Sequence, residues 1–161
     1  MSKRTFAGGA VFLIIVIGLF ALSNYLSPNR DKISLWAENG VKCLPNGHTN
    51  LVQHIHPHLR VIVDGREVEI PANIGVVSNC RAELHTHEGE AGVIHLESVD
   101  ADKQFRLKDF FSVWGEPFLR TGYERIVFLD TATSTEDGDL ILRDKQNIEI
   151  VYVGSAQKKG E

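Results

Sequence analysis

Histidine is the residue of this chain best suited to chemistry, and all seven histidines fall between positions 48 and 95 of 161. They are His48, His54, His56, His58, His85, His87 and His95. Two groups have the spacing H-x-H-x-H and H-x-H, which directs side chains to one face of a β-strand. Imidazole is a good ligand for Zn, Cu(II), Ni and Fe(II), so this pattern favours a transition-metal site.

The candidate ligands are more numerous than one ion needs. We expect the first ligands to be His56, His58, His85, His87 and His95. His54, Glu88 and Glu97 follow, the carboxylates either as ligands or as acceptors that orient the imidazole rings, and Glu90 is nearby. Either some donors support the others or two ions are held. The expected cofactor is a divalent transition metal, Cu(II) or Zn(II).

Two metal-free interpretations of the cluster stay open. The histidines could form a hydrogen-bonded or pH-responsive group, since imidazoles repel one another once they protonate below about pH 6.5. They could also serve catalysis without a metal. The sequence contains no G-x-S-x-G, no H-E-x-x-H and no phosphate-binding glycine loop, so no familiar catalytic motif supports that second interpretation.

The first histidine group lies on a predicted strand, residues 51–63, whose apolar and polar side chains alternate. The following Asp64-Gly65 is a strong signal for a two-residue hairpin turn, and such a turn fixes the strand register. The predicted pairs are Val61 with Val68, Leu59 with Ile70, and Arg60 with Glu69. Pro57 indicates that the first half of this strand lies at a sheet edge or a bulge.

The second histidine group lies on a predicted hairpin of residues 82–87 and 93–98. Symmetrical pairing across the intervening five residues places His85 opposite His95, with Cβ atoms about 5 Å apart. The same register places Glu83 opposite Glu97, which is unfavourable unless a cation or solvent lies between the carboxylates. We therefore expect the two hairpins to bring most of the histidines together.

The remaining pattern predicts an α+β domain. Leu107, Phe110, Phe111 and Trp114 have helical spacing and precede Gly115, so this aromatic stripe is expected to be a core helix. Further strands are predicted at residues 123–129, 139–143 and 147–153. One helix would then cover the apolar face of a mostly antiparallel sheet, compatible with a β-grasp-like arrangement.

The amino-terminal segment is predicted to be a transmembrane helix over residues 6–26, of which residues 6–22 carry no charge. Lys3 and Arg4 favour a cytoplasmic location for residues 1–5. A cleaved signal peptide is the alternative, with small residues around Ser23 for cleavage. Both interpretations place the later residues outside the cytoplasm: a tether at 27–50, the histidine-rich domain at 51–155 and a tail at 156–161.

Composition and cysteine content narrow the classes of protein. A net charge of −4 argues against nucleic acid as a partner, because phosphate binding needs clustered Lys and Arg. Cys43 and Cys80 are expected to form a disulfide in an oxidising compartment. The alternative is that their thiolates join the metal site, since each lies five residues before a histidine.

Several motifs in order resemble one protein family. They are HIHPHL at 54–59, VDG, IPANIGV, LHTHEGEAGVIHLES at 84–98 and FRLKDFFSVWG at 105–115. The chain resembles a family of anchored or exported archaeal and bacterial proteins with the pattern HxHxxL, IPxxIG, HTHD, GxIHxES and FFxxWG. The resemblance covers residues 51–115, and Glu88 stands where the family usually has Asp. It groups these motifs together but implies no particular reaction.

The leading functional prediction is a membrane-anchored extracytoplasmic protein that binds copper or zinc. Its role would be metal handling, or service as an accessory module of a membrane complex whose partner the sequence does not identify. A small metal-dependent hydrolase or oxidoreductase is the alternative, in which the ion keeps an open position for water or substrate. A third interpretation makes the domain an interaction module with incidental histidines.

Overall fold

The computed structural model describes residues 28–44, 49–77 and 79–155. His48, the predicted anchor at 6–26 and the predicted tail at 156–161 lie outside these residues. Within the described ranges, no helix is long and apolar enough to cross a membrane. The described residues from 33 onward belong to one compact unit, which contains all the strands given below.

The architecture is α+β, with mostly antiparallel sheets and two α-helices among the described residues. The helices are α1 (Pro28–Glu38) and α2 (Leu107–Trp114). The strands are β1 (Gln53–Ile55), β2 (His58–Val63), β3 (Arg66–Val68), β4 (Val76–Val77), β5 (Cys80–Arg81), β6 (Leu84–His85), β7 (His95–Ser98), β8 (Tyr123–Leu129), β9 (Ala132–Thr133) and β10 (Asn147–Gly154). They form a five-stranded sheet, a three-stranded sheet and one further pair.

The five-stranded sheet has the order β3-β2-β10-β8-β9. Its central neighbours β2 and β10 are parallel, whereas each is antiparallel to its other neighbour. Leu59 and Val61 of β2 and Ile148, Ile150 and Tyr152 of β10 are buried, so the alternating apolar side chains of both strands face the core. The elements β4 to β7 lie between β3 and α2 in the sequence, outside this sheet.

The first predicted hairpin is confirmed in its turn and register. Val61 pairs with Val68, and Asp64 and Gly65 both have positive φ, as a tight turn of this kind requires. The predicted Arg60–Glu69 and Leu59–Ile70 pairs are wrong, because β3 ends at Val68 and both Glu69 and Ile70 lie beyond the ladder. Arg60 instead bonds Glu67, and Glu149 of β10, both at 2.7 Å.

The predicted long strand is divided at Pro57, which separates β1 from β2. The division has a clear cause, because proline has no N–H with which to continue a ladder. β1 lies at the edge of the three-stranded sheet, as the proline pattern predicts. Backbone contacts continue across the division nevertheless: Pro57 O accepts from Ile94 N at 2.9 Å, and Leu59 N donates to Gly92 O at 2.8 Å.

The three-stranded sheet has the order β1-β7-β6 and carries most of the histidines. β7 pairs with β6 in the predicted register, with His85 opposite His95. β7 also pairs with β1, so that His54 lies opposite Glu97. The pairing of β1 with β7 was not part of the sequence prediction, and it joins the two histidine groups.

Helix α2 packs the predicted aromatic stripe into the core. Leu107, Phe110 and Phe111 are buried, and the helix ends at Gly115, whose φ of 84° suits a left-handed cap. The strand predicted at 139–143 is wrong. A 3-10 turn (Asp137–Asp139) ends where the strand was expected to begin, and Ile141 forms only an isolated bridge with Arg106. Leu140 and Leu142 are both buried. The alternation of apolar residues therefore marks buried side chains here, although no strand ladder forms.

Part of the predicted tether contributes to the core. Trp36 and Val41 are buried in the same cluster as the strands of the five-stranded sheet, and Cys43 forms a disulfide with Cys80 at a Cα separation of 5.3 Å. This disulfide confirms the first interpretation of the cysteines. Because both sulfur atoms are in the bridge, neither is a thiolate ligand.

Candidate metal site

The candidate site is one face of the three-stranded sheet, with β7 at its centre. We call the side chains of His54, His56, His85, His87 and His95 the histidine face. In the ladder between β6 and β7, His85 lies opposite His95. β1 lies on the other side of β7, and extending its register by one residue places His56 opposite His95 as well. Side chains of alternate residues point to the same face of a sheet, so His54 joins His56, and His87 joins His85.

Two groups of three histidines have donor atoms within 4.8 Å of one another. One group is His54, His56 and His95, and the other is His85, His87 and His95. In each group, the two histidines from one strand segment place their Nε2 atoms 3.1 Å apart. Two imidazoles bound to one ion at about 2.0–2.1 Å each have nitrogens roughly 3 Å apart, so both pairs have the spacing of chelating ligands.

The group of His85, His87 and His95 is the more buried of the two. His85 is fully buried, and its Nδ1 lies 2.9 Å from the carbonyl oxygen of Ala82. A carbonyl oxygen only accepts, so Nδ1–H donates and the lone pair of His85 lies on Nε2, which faces His87. A backbone carbonyl that fixes the tautomer in this way is a common support for metal-binding histidines.

The group of His54, His56 and His95 is open on one side, because the side chains of His54 and His56 are 47% and 40% exposed. The His56 amide donates to Asp144 Oδ1 at 3.0 Å, and the same oxygen is 3.8 Å from His56 Nδ1. Asp144 comes from the loop before β10, and no spacing in the sequence connects it with the histidines. It is the acidic neighbour that sequence reasoning missed.

His95 belongs to both groups and is 7% exposed. Its Nε2 contacts Glu90 Oε2 in a short hydrogen bond. Its Nδ1 is buried and has no hydrogen-bond partner among the described residues. Leaving a buried polar atom unpaired costs about 1–3 kcal/mol. A metal ion bound to this nitrogen would remove that cost.

Two buried carboxylates lie beside the histidines, on the same face of the sheet. Glu97 is fully buried, and its Oε1 is 3.2 Å from His54 Nε2. Glu83 is also buried but is turned to other partners: Lys103 forms an ion pair with it, Ser98 Oγ donates at 2.9 Å and the Lys42 amide at 2.8 Å. Lys103 is therefore the cation that makes the predicted juxtaposition of Glu83 and Glu97 tolerable.

The surroundings of His85 and His87 favour neutral, metal-binding imidazoles. Burial, followed by the neighbouring His87, lowers the pKa of His85 to about 3. Burial also lowers the pKa of His87, with His95 and Arg81 adding to the effect. The hydrogen bond from His95 lowers the pKa of Glu90, which keeps this carboxylate ionised. Metals bind the neutral form of imidazole, so a depressed pKa extends binding to lower pH.

Three of the predicted ligands lie outside both groups: Glu97, which contacts His54, and His58 and Glu88. His58 is on β2, where its ring lies against Gly92 and lines a groove with Arg60 and Glu67. Glu88 is exposed in the loop between β6 and β7, whereas Glu90 of the same loop contacts His95. The structure thus brings together five of the predicted histidines with Glu97, and leaves His58 and Glu88 apart from them.

No protein-family model, curated protein or solved structure matches the chain. The resemblance described from the motifs therefore stays a prediction. The functional proposal that follows rests on the geometry of the histidine face.

Proposed function

We propose that this chain is a membrane-anchored extracytoplasmic protein that binds a divalent transition metal through its histidine face. The observation that carries the proposal is the pair of three-histidine groups, each with donors within 4.8 Å. Copper and zinc are the metals that best suit a site of neutral imidazoles with a few carboxylates. The protein would serve metal handling, or act as an accessory module of a membrane complex.

The proposed location is supported by two features of the chain. Lys3 and Arg4 precede an uncharged segment of membrane-spanning length, which favours export of the later residues. The Cys43–Cys80 disulfide suits an oxidising compartment, where such bridges persist. Outside the cytoplasm, the reduced thiols of the cell interior do not compete with the protein for copper or zinc.

The order of elements supports a β-grasp-like arrangement of the five-stranded sheet. A hairpin, β2 and β3, is followed by helix α2 and then by β8, β9 and β10, with β10 parallel to β2 at the centre. Two of the three strands that carry the histidine face, β6 and β7, are inserted between β3 and α2. The site thus lies on strands outside the five-stranded sheet, so its side chains are not part of the packing of the central strands.

The test is metal binding by the full chain carrying an affinity tag without histidine. Elemental analysis after exposure to Cu(II) or Zn(II), followed by removal of loose metal, should find bound ion in the wild type. His87→Ala should weaken binding by tenfold or more, because it removes one donor of the buried group. His58→Ala is the matched control, since His58 belongs to neither group, and it should leave affinity unchanged. Equal metal content and affinity in the wild type and in the double variant His56→Ala, His87→Ala would contradict the proposal.

A metal-dependent enzyme is the second candidate, favoured by the exposure of His54 and His56. An ion held there remains accessible to water or a small substrate, which is the requirement for an open coordination position. Binding of an exogenous ligand distinguishes this candidate from simple storage. Azide or cyanide should change the visible spectrum of the Cu(II)-loaded chain if the ion has an exchangeable position, and should leave it unchanged if the site is closed.

A further inference from the structure

The histidine face has donors for two ions on opposite sides of β7. The pair His54–His56 and the pair His85–His87 each have Nε2 atoms 3.1 Å apart, so each pair can chelate an ion of its own. Among the described residues, donors within 4.8 Å form two groups of three rather than one group of five. A single ion at either pair would leave the other pair of imidazoles without a role.

His95 is the member that both groups require. Each imidazole nitrogen has one lone pair in the ring plane and binds one ion, so a ring shared by two ions must use both nitrogens. Glu90 is an acceptor when ionised, so His95 Nε2–H donates to it and the lone pair lies on Nδ1. That Nδ1 is the buried atom without a hydrogen-bond partner among the described residues. It is therefore ready to accept the first ion without losing a proton.

Binding of the second ion changes the protonation of His95. The Nε2–H bond breaks, its proton leaves to solvent or through Glu90, and a metal–Nε2 bond forms with the freed electron pair. The ring is then an imidazolate that joins both ions. Glu90 lies on a loop, and its side chain is 49% exposed, so it can release Nε2 without unfolding the sheet.

Negative charge near the histidines favours bound cations. Glu97, Glu90 and Asp144 contact or approach His54, His95 and His56, respectively. Glu97 is fully buried, where the attraction between a carboxylate and a cation is strongest.

We infer that the histidine face holds two divalent ions bridged by the His95 ring, one on the His54–His56 pair and the other on the His85–His87 pair. This inference rests on the proposed metal-binding function. It specifies the stoichiometry and the electronic coupling of the site.

Copper titration of the full chain with electron paramagnetic resonance tests the inference. The wild type should bind two Cu(II) per chain and give a low-temperature signal well below that of the same amount of free Cu(II). The reason is that an imidazolate bridge couples the two unpaired electrons. His56→Ala and His87→Ala should each bind one Cu(II) with a full signal. His58→Ala should retain two ions and the weak signal.

The possible failures are distinguishable. One Cu(II) per chain in the wild type, lost in His87→Ala, would overturn the two-ion inference and leave the proposed function intact. Two ions with a full signal that His95→Gln does not change would overturn the bridge. If His95→Gln does not fold, the two single-ion variants still decide the stoichiometry. No bound copper in the folded wild type would overturn both proposals.

Discussion

His85 on β6 and His95 on β7 form a directly opposed pair, with ring centroids 5.4 Å apart and ring planes inclined by 26°. Both rings are buried, and both have a neighbour on their own strand or loop: His87 for His85, and Glu90 for His95. Burial opposes protonation of His85. This residue therefore links the pH of the solution to the stability of the sheet.

The stability of the metal-free protein should fall as the pH is lowered from about 6.5. Burial lowers the pKa of folded His85 to about 3, whereas the unfolded chain has the ordinary value of 6.5. Between these values the unfolded state binds more protons, so its free energy falls relative to the folded state as pH falls, by about 1 kcal/mol per pH unit. Stability is fully present above pH 6.5. Urea unfolding at pH 5 and pH 8, with a chelator present, measures the difference.

The matched variant for this pH effect is His85→Asn, whose side-chain amide can still donate to the carbonyl of Ala82. Its unfolding free energy should be less dependent on pH between 5 and 7, because the titrating group is gone. His87, whose pKa is also lowered, should retain a smaller part of the dependence. An unchanged pH profile in His85→Asn would assign the effect to other residues.

Replacing Glu97 by Gln should weaken metal binding at the His54–His56 pair. Glu97 is fully buried and lies 3.2 Å from His54 Nε2, where its negative charge favours a nearby cation. Losing such a partner typically reduces metal affinity about 10- to 100-fold. Competition with a chromophoric chelator gives the affinity.

Glu88→Gln is the control for this charge effect, since Glu88 is exposed and lies outside both histidine groups. It removes the same charge and should leave the affinity within about twofold. Similar losses in the two variants would mean that overall charge, rather than the position of Glu97, governs binding.

Removing the cation that neutralises Glu83 should destabilise the fold. Lys103→Met would leave the Glu83 carboxylate buried with hydrogen bonds from Ser98 and Lys42 but without its ion-pair partner. Breaking one side of a buried pair costs about 3–5 kcal/mol, mainly because the remaining charge is poorly solvated. Lys145→Met is the control: Lys145 is 88% exposed, so its loss should change stability little. Equal unfolding midpoints in the two variants would show that the Lys103 pair contributes no more than a surface pair.

Loss of the disulfide should lower stability by about 4 kcal/mol, because Cys43 and Cys80 are 37 residues apart and their bridge restricts the unfolded chain. The double variant Cys43→Ser, Cys80→Ser should unfold at lower urea than the oxidised wild type. Reduction of the wild type should bring it to the midpoint of the double variant. A double variant as stable as the oxidised protein would contradict the prediction.

Local patterns predicted several parts of the fold correctly. The Asp64-Gly65 turn fixed the Val61–Val68 register, and the loop between β6 and β7 placed His85 opposite His95. The helix was predictable because Leu107, Phe110 and Phe111 have helical spacing before a glycine. In each of these cases the interacting residues are close in the sequence, so turn geometry or helical period determines the contact.

The parts that sequence reasoning missed depend on distant contacts. Nothing in residues 51–63 indicates that β2 will pair in parallel with β10, or that β1 will lie beside β7. The parallel pairing of β2 with β10 makes Glu149, and not the predicted Glu69, a partner of Arg60. Asp144 approaches His56 from the loop before β10. Its position in the sequence has no regular spacing from the histidines, so no local pattern predicts the contact.

The position of β1 has a consequence for the motions of the site. This strand has three residues, lies at an edge of its sheet and is paired on one side only, with β7. Its local opening breaks few backbone hydrogen bonds and needs less free energy than unfolding of the whole domain. Because His54 and His56 lie on or beside it, an ion held between them and His95 would close that opening. Amide hydrogen exchange at His54 and Ile55 would then slow when metal is added, while exchange in the central strands β2 and β10 would change little.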